Sequence, residues 1–149
     1  MTHIDSHQHL HIFPPILDIV IQLAKEYHLK WIRNTKDNAM PNSLGQLGLF
    51  VLAKKGKRKI LRNHIYTSDY FEGARCSGRL TEQTLLNMLS KLPDGISEIM
   101  CHPGNSNNTH GYNHWRYNWL QEQNALMSMS VKHFIEKQGV TLLSYADLQ

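Results

Sequence analysis

Cysteine is scarce. The 149 residues contain two, Cys76 and Cys101, far apart and in no Cys-x-x-Cys pair. That excludes a disulfide scaffold and fits reduced thiols in a cytoplasmic protein. Long hydrophobic runs are missing too. The longest apolar stretch, residues 16–24, is broken by Asp18 and Gln22 and is too short to span a bilayer. No basic segment precedes an apolar one at the N-terminus, so no secretory signal is visible. There is no Gly-x-Ser-x-Gly and no glycine-rich phosphate loop, which leaves nucleophilic-serine and nucleotide chemistry without support. Repeats and low-complexity segments are absent.

What is present reads as one globular domain, residues 1–149. Hydrophobic residues make up 41% and charged residues 19%, which excludes a disordered polyelectrolyte, a coiled coil and a membrane bundle. Sixteen Lys and Arg against twelve Asp and Glu give a net charge of +4. Five of the cations fall in the run KKGKRK, residues 54–59. No aromatic side chain is interleaved there to stack on bases, so the run reads as the solvated end of an amphipathic helix over 43–57. No nucleic-acid partner is expected.

Ten histidines are the unusual feature, and His3, His7, His9 and His11 crowd the first eleven residues. An extended segment would place His7, His9 and His11 on one face. Pro14 and Pro15 then open a helix whose apolar stripe runs to about Tyr27. Residues 2–5 read as the end of a strand, and further along the pattern predicts strands at 29–33, 60–66, 96–101 and 140–144. It predicts helices over 82–92, with Thr81 as N-cap, and over 124–138, ending at Gly139. The alternation of strands and helices indicates an α/β fold with a mainly parallel sheet, in which chemistry gathers at the carboxyl ends of the strands. His7, Arg33 and His102 all fall at or just past such ends.

Alternating imidazoles beside Asp5 suit a divalent transition metal, although this segment alone does not supply three well-spaced ligands. His102, between a strand and Pro103-Gly104, suits a general acid or base. Glu98 reads as a solvated or ion-paired carboxylate. Arg33 could meet an anionic or hydroxyl-rich substrate. Tyr70, Phe71 and Trp115 could stack on sugar rings, but fit the sealing of a core edge better. Asn105, Asn107 and Asn108 could meet sugar hydroxyls, but fit turn chemistry better.

The segments THIDSHQHLHIFPPIL, EIMCHPG and LLSYADL resemble the YdjC-like carbohydrate deacetylases, and YTSDYFEG and the terminal helix are similar as well. The resemblance implies an irregular β/α barrel of the glycoside hydrolase/deacetylase type. It also implies hydrolysis of N-acetyl groups from amino sugars, helped by one divalent metal ion, zinc or magnesium. It places His7 as a metal ligand and His102 as general acid or transition-state stabiliser. Asp5, His9, His11 and Arg33 become groups that orient ligands or touch substrate.

The family's opening Asp-Asp-Phe-Gly segment and its GxHxxLT-like segment have no counterpart here. The chain therefore reads as a C-terminal portion with the N-terminal part of the barrel missing. Weak metal binding, little activity in isolation, exposed apolar surface and self-association to a homo-oligomer are expected. The competing expectation is a non-catalytic sugar- or metal-binding module, or a subunit completed by another chain.

Overall fold

A computed structural model describes residues 1–37, 44–105 and 112–148. The chain is a helix-rich α/β protein with short parallel strands. It divides into two compact units, residues 1–71 with 143–149, and residues 72–142.

The first unit begins with β1 (His3–Ile4), α1 (Pro14–Glu26), β2 (Trp31–Ile32) and α2 (Leu44–Arg62). β1 and β2 pair in parallel, His3 opposite Trp31 and Ile4 opposite Ile32. Trp31 also bridges in parallel to Tyr66, so three backbone segments run the same way. α1 forms where expected. Its prolines occupy the first turn, where the missing N–H costs nothing. Leu17, Val20, Ile21 and Ala24 recur on its inner face and pack with Leu29, Ile32, Ile60 and Ile65. Full burial of each large side chain here contributes about 1.5–3 kcal/mol.

Three expectations fail in this unit. α2 does not stop near residue 57 and residues 60–66 are not a strand: the helix runs to Arg62. Ala53, Gly56 and Ile60 are buried at helical spacing, so the inward stripe outlasts the cationic run, and His64 at φ 58° lies just beyond the helix end. Residues 140–144 are not a strand either. They lead into a turn in which Asp147 accepts from the Ser144 N–H at 2.7 Å. Third, His7–Ile12 are two tight turns rather than an extended segment, because Gln8 and His9 take left-handed backbone angles, φ 52° and 61°. The three histidines consequently do not share a face: His7 is exposed, His9 half-buried and His11 buried.

The second unit starts with Glu72, the last residue of β3 (Tyr70–Glu72), whose carbonyl accepts from Met100 N–H at 2.9 Å, just past β4 (Ser97–Ile99). Gly73 sits against Met100 with φ 102°, and a Cβ there would strike the Met100 carbonyl. α3 (Glu82–Leu89) is capped by Thr81, which accepts from Thr84 N–H at 3.1 Å. The expected helix over 124–138 is two helices, α4 (Trp119–Leu126) and α5 (Met129–Gln138). Ser128 takes an extended conformation between them and caps α5 by accepting from Ser130 and Val131 N–H. Gly139 ends α5 in the left-handed region, as its position predicted. Leu80, Leu85, Leu89 and Val131 form the core, with Cys76 and Cys101 packed on it as free thiols.

The described strands are two or three residues long and do not close into a barrel. No helix among the described residues is long and apolar enough to cross a membrane.

Candidate functional site

The carboxyl ends of the three parallel segments in the first unit bring polar residues together. β1 leads into Asp5, Ser6 and His7. β2 leads into Arg33, Asn34 and Thr35. The bridge at Tyr66 leads into Thr67, Ser68 and Asp69. Arg33 N–H donates to the Ile4 carbonyl at 3.0 Å, which sets its side chain beside Asp5, and Nη1 donates to Asp5 Oδ2 at 2.6 Å. Both partners are part-exposed, so the pair orients two charges more than it stabilises the fold.

His11 is built in differently. It is 1% exposed, and its ring is held at both nitrogens. The Arg33 carbonyl, 2.8 Å from Nε2, can only accept, so Nε2 carries the proton. Nδ1 then accepts from the Ser6 hydroxyl at 2.8 Å, while the Ser6 oxygen accepts from His11 N–H at 2.9 Å. This imidazole is committed to joining the histidine turns to the end of β2. His9 meets Phe71 edge-on, with ring centroids 6.1 Å apart. His7 is exposed.

The cationic run takes part in this edge as well. Lys57 reaches from α2 and donates to the carbonyls of Ser68 (3.0 Å) and Asp69 (2.7 Å). Burial depresses its ammonium pKa below the ordinary lysine value. Lys36 adds to the depression and Asp69 opposes it. Lys59 pairs with Asp18, whereas Lys54, Lys55 and Arg58 are exposed. Sequence reading missed the Thr35, Thr67 and Ser68 hydroxyls, which are buried at the same edge and make no hydrogen bond to the described residues. Small hydroxyl residues carry no periodic signal that could have revealed them.

His102 belongs to the second unit and follows β4. Its ring lies edge-on to Tyr117 (5.1 Å) and Trp119 (6.3 Å), and Trp115 packs against both of those. The carboxylate of Glu122, on α4, stands beside it. Glu122 is 0% exposed. Its Oε1 accepts from Leu80 N–H at 3.1 Å, its Oε2 accepts from His102 N–H, and Oε2 lies 3.9 Å from His102 Nδ1. A signal for it existed. Glu122 lies three residues before buried Ala125, on the inward face of a helix that begins earlier than expected. Asn107 and Asn108 lie outside the described residues.

These histidines and carboxylates do not assemble a metal cage on their own. Among the described residues no group of three or more His, Cys, Asp or Glu side chains is placed to hold an ion. Within the first unit the reasons are local: His11 is committed at both ring nitrogens, and Asp5 is bonded to Arg33.

Comparison with known proteins finds similarity at the level of family, sequence and structure. A family model described as YdjC-like protein matches residues 1–137. A chitooligosaccharide deacetylase of Yersinia enterocolitica is 30% identical over 98% of this chain and 52% of its own length. A crystal structure from Enterococcus faecalis V583, described as a cellobiose-phosphate cleavage protein, superposes with a TM-score of 0.65 at 26% identity. It too is covered over 52% of its length, against 98% of this chain. The chain therefore spans about half the length of the relatives it matches.

Proposed function

This chain belongs to the YdjC-like family, and on that premise we propose that it serves a carbohydrate deacetylase reaction, the hydrolysis of N-acetyl groups from amino sugars. The family match over residues 1–137 carries the reading, and the name of the Yersinia relative supports the substrate class.

The roles follow from the chemistry of the groups. His102 is the general acid: protonated, it gives its proton to the sugar nitrogen as the amide C–N bond breaks, and it is left neutral. Asp5 and Arg33, fixed on each other, present an acceptor and donors to sugar hydroxyls, with the hydroxyls of Thr35, Thr67 and Ser68 behind them. His7 is the exposed imidazole that this chain offers to a divalent ion. The described residues do not complete a ligand set for it. The chemistry assigned to this chain is therefore that of its acid and its polar contacts. The irregular barrel is part of the same proposal, with β1, β2 and the segment at Tyr66 as one arc of its wall. The fitting compartment is the cytoplasm, where Cys76 and Cys101 stay reduced.

Acetate release from diacetylchitobiose, with zinc or magnesium present, tests the reading. This chain is expected to bind the ion weakly and to release acetate far more slowly than a deacetylase of full family length. His102→Ala should remove what release there is. Turnover at rates ordinary for an enzyme would overturn the incompleteness. Neither binding nor hydrolysis of any N-acetylated amino sugar would overturn the reading itself. That no ligand set is complete among the described residues favours one second reading, a non-catalytic sugar- or metal-binding module. Sugar binding without any acetate release would select it.

A further inference from the structure

We infer that Glu122 is a positioning residue for His102: its buried carboxylate fixes the imidazole's place and favours the protonated ring. The inference rests on the reading of His102 as an acid, and it names the group that would keep that acid loaded.

Three observations carry it. First, Glu122 is fully buried. Desolvating a carboxylate costs several kcal/mol, so a carboxylate is kept at such a site only where specific partners offset that cost. Second, the partners are specific. One oxygen takes the Leu80 N–H, directly before the cap of α3, and the other takes the His102 N–H. Gln121, next to it on α4, donates to the Leu80 carbonyl at 3.4 Å. α4 thereby fixes the backbone of two distant segments, and one of them carries His102. Third, the oxygen that holds the His102 backbone is also the one 3.9 Å from Nδ1 of the same residue. That distance exceeds a hydrogen bond but lies within the range where an opposite charge favours the ionised ring.

The aromatic neighbours act in the other direction. The edges of Tyr117 and Trp119 withdraw the ring from water, which alone disfavours the imidazolium. Tyr117 is itself engaged with the Ser77 hydroxyl at 2.8 Å. Tyr117 and Trp119 without Glu122 would leave a histidine mostly neutral at pH 7, a poor acid. With Nδ1 turned toward Glu122, the proton available to a substrate sits on Nε2. On transfer the imidazolium becomes neutral imidazole, the amine takes the proton, and Glu122 neither gains nor loses one.

A purely structural role makes a competing prediction. Two N–H groups reach two different oxygens, and a carboxylate accepts both where an amide accepts one. Glu122→Gln will therefore lose stability under either account, and stability does not discriminate. Titration of the His102 ring does.

The experiment follows the ring protons of every histidine by NMR against pH in the intact chain. The His102 resonance is identified by its loss in His102→Asn. His102 is expected to titrate above the ordinary imidazole value of about 6.5, despite its aromatic surroundings. In Glu122→Gln it should move down by about one pH unit, roughly a tenfold fall in the ratio of imidazolium to neutral imidazole at a given pH. Glu122→Asp should restore part of the shift. A His102 midpoint at or below that ordinary value of about 6.5 in the unmodified chain would overturn the inference, whether or not Glu122→Gln folds. So would an unchanged midpoint in a folded Glu122→Gln. The deacetylase reading fails separately: a high His102 midpoint without sugar binding or acetate release would leave Glu122 as assigned and remove the reaction. Acetate release with an unshifted His102 would do the reverse.

Discussion

The buried imidazole of His11 donates through Nε2 to the main-chain carbonyl of Arg33, 2.8 Å away. One residue of the histidine run is thus spent on holding the turns after β1 to the end of β2, while His7, four residues earlier, stays exposed. Histidines with the same sequence signature therefore separate into a buried, bonded one and an exposed one.

Replacement measures this separation. His11→Ala opens a cavity and leaves Ser6 and the Arg33 carbonyl without their partner, so it should cost about 2–4 kcal/mol. His7→Ala should cost less than about 0.5 kcal/mol. Urea unfolding of the two variants, followed by tryptophan fluorescence, checks the difference. Equal costs would show that the run is not divided in this way.

Lys57 gives a test in alkaline solution. Its folded-state pKa is lowered, chiefly by burial. Between that value and the unfolded one, the unfolded chain binds more protons, so this group's contribution to stability rises with pH. Lys57→Met loses two bonds to carbonyls and should be less stable throughout. Thermal unfolding from neutral pH to about pH 10, near the ordinary lysine pKa, should show the gap to Lys57→Met widening with pH. A constant gap would argue against the depressed ammonium.

Asp147 supplies the acid counterpart. Its carboxylate takes the Ser144 hydroxyl at 2.6 Å and N–H at 2.7 Å, and these bonds lower its pKa below 3.8. A depressed carboxylate contributes stability above its unfolded pKa, and the contribution is lost as pH falls through the folded one. The turn it closes carries Tyr145, stacked on His3 at 3.8 Å and edge-on to Trp31, whose indole donates to the Leu148 carbonyl. The pH dependence of Trp31 fluorescence below about pH 4, the ordinary carboxylate range, should be reduced in Asp147→Asn. Identical acid transitions would disconnect the turn from Asp147.

Gly78 tests the second unit. It has φ 72°, and a Cβ there would lie within the Tyr117 ring. Gly78→Ala should cost about 2–4 kcal/mol, from backbone strain and displacement of the ring. The displaced Tyr117 should also release Ser77 and alter the His102 resonance. Circular dichroism melts and the His102 signal read these together, and a wild-type melt would contradict the packing.

Much of the fold was legible locally. The prolines and apolar stripe of α1, the Thr81 cap of α3 and the Gly139 stop of α5 depend on neighbours within a turn or two, so their residues declare them. The histidine-rich segment and His102 stood out because imidazole is rare and the strand ends expose it. The errors lie where distant contacts decide. α2 extends to Arg62 because Ile60 has a core to enter, and the last predicted strand is replaced by a turn that packs on His3 and Trp31. The His run turns tightly because His11 finds the Arg33 carbonyl.

The sequence by itself determined an α/β protein of the YdjC-like family and singled out His7 and His102 as candidates, since residue type, short motifs and short-range periodicity suffice for that. Only the tertiary structure decided which histidine is structural, that Lys57 belongs to the edge of the parallel strands, and that Glu122 stands beside His102. Two of these relations join residues twenty or more apart and the third joins residues more than ten apart, and burial and pairing at such distances leave no mark in the local pattern.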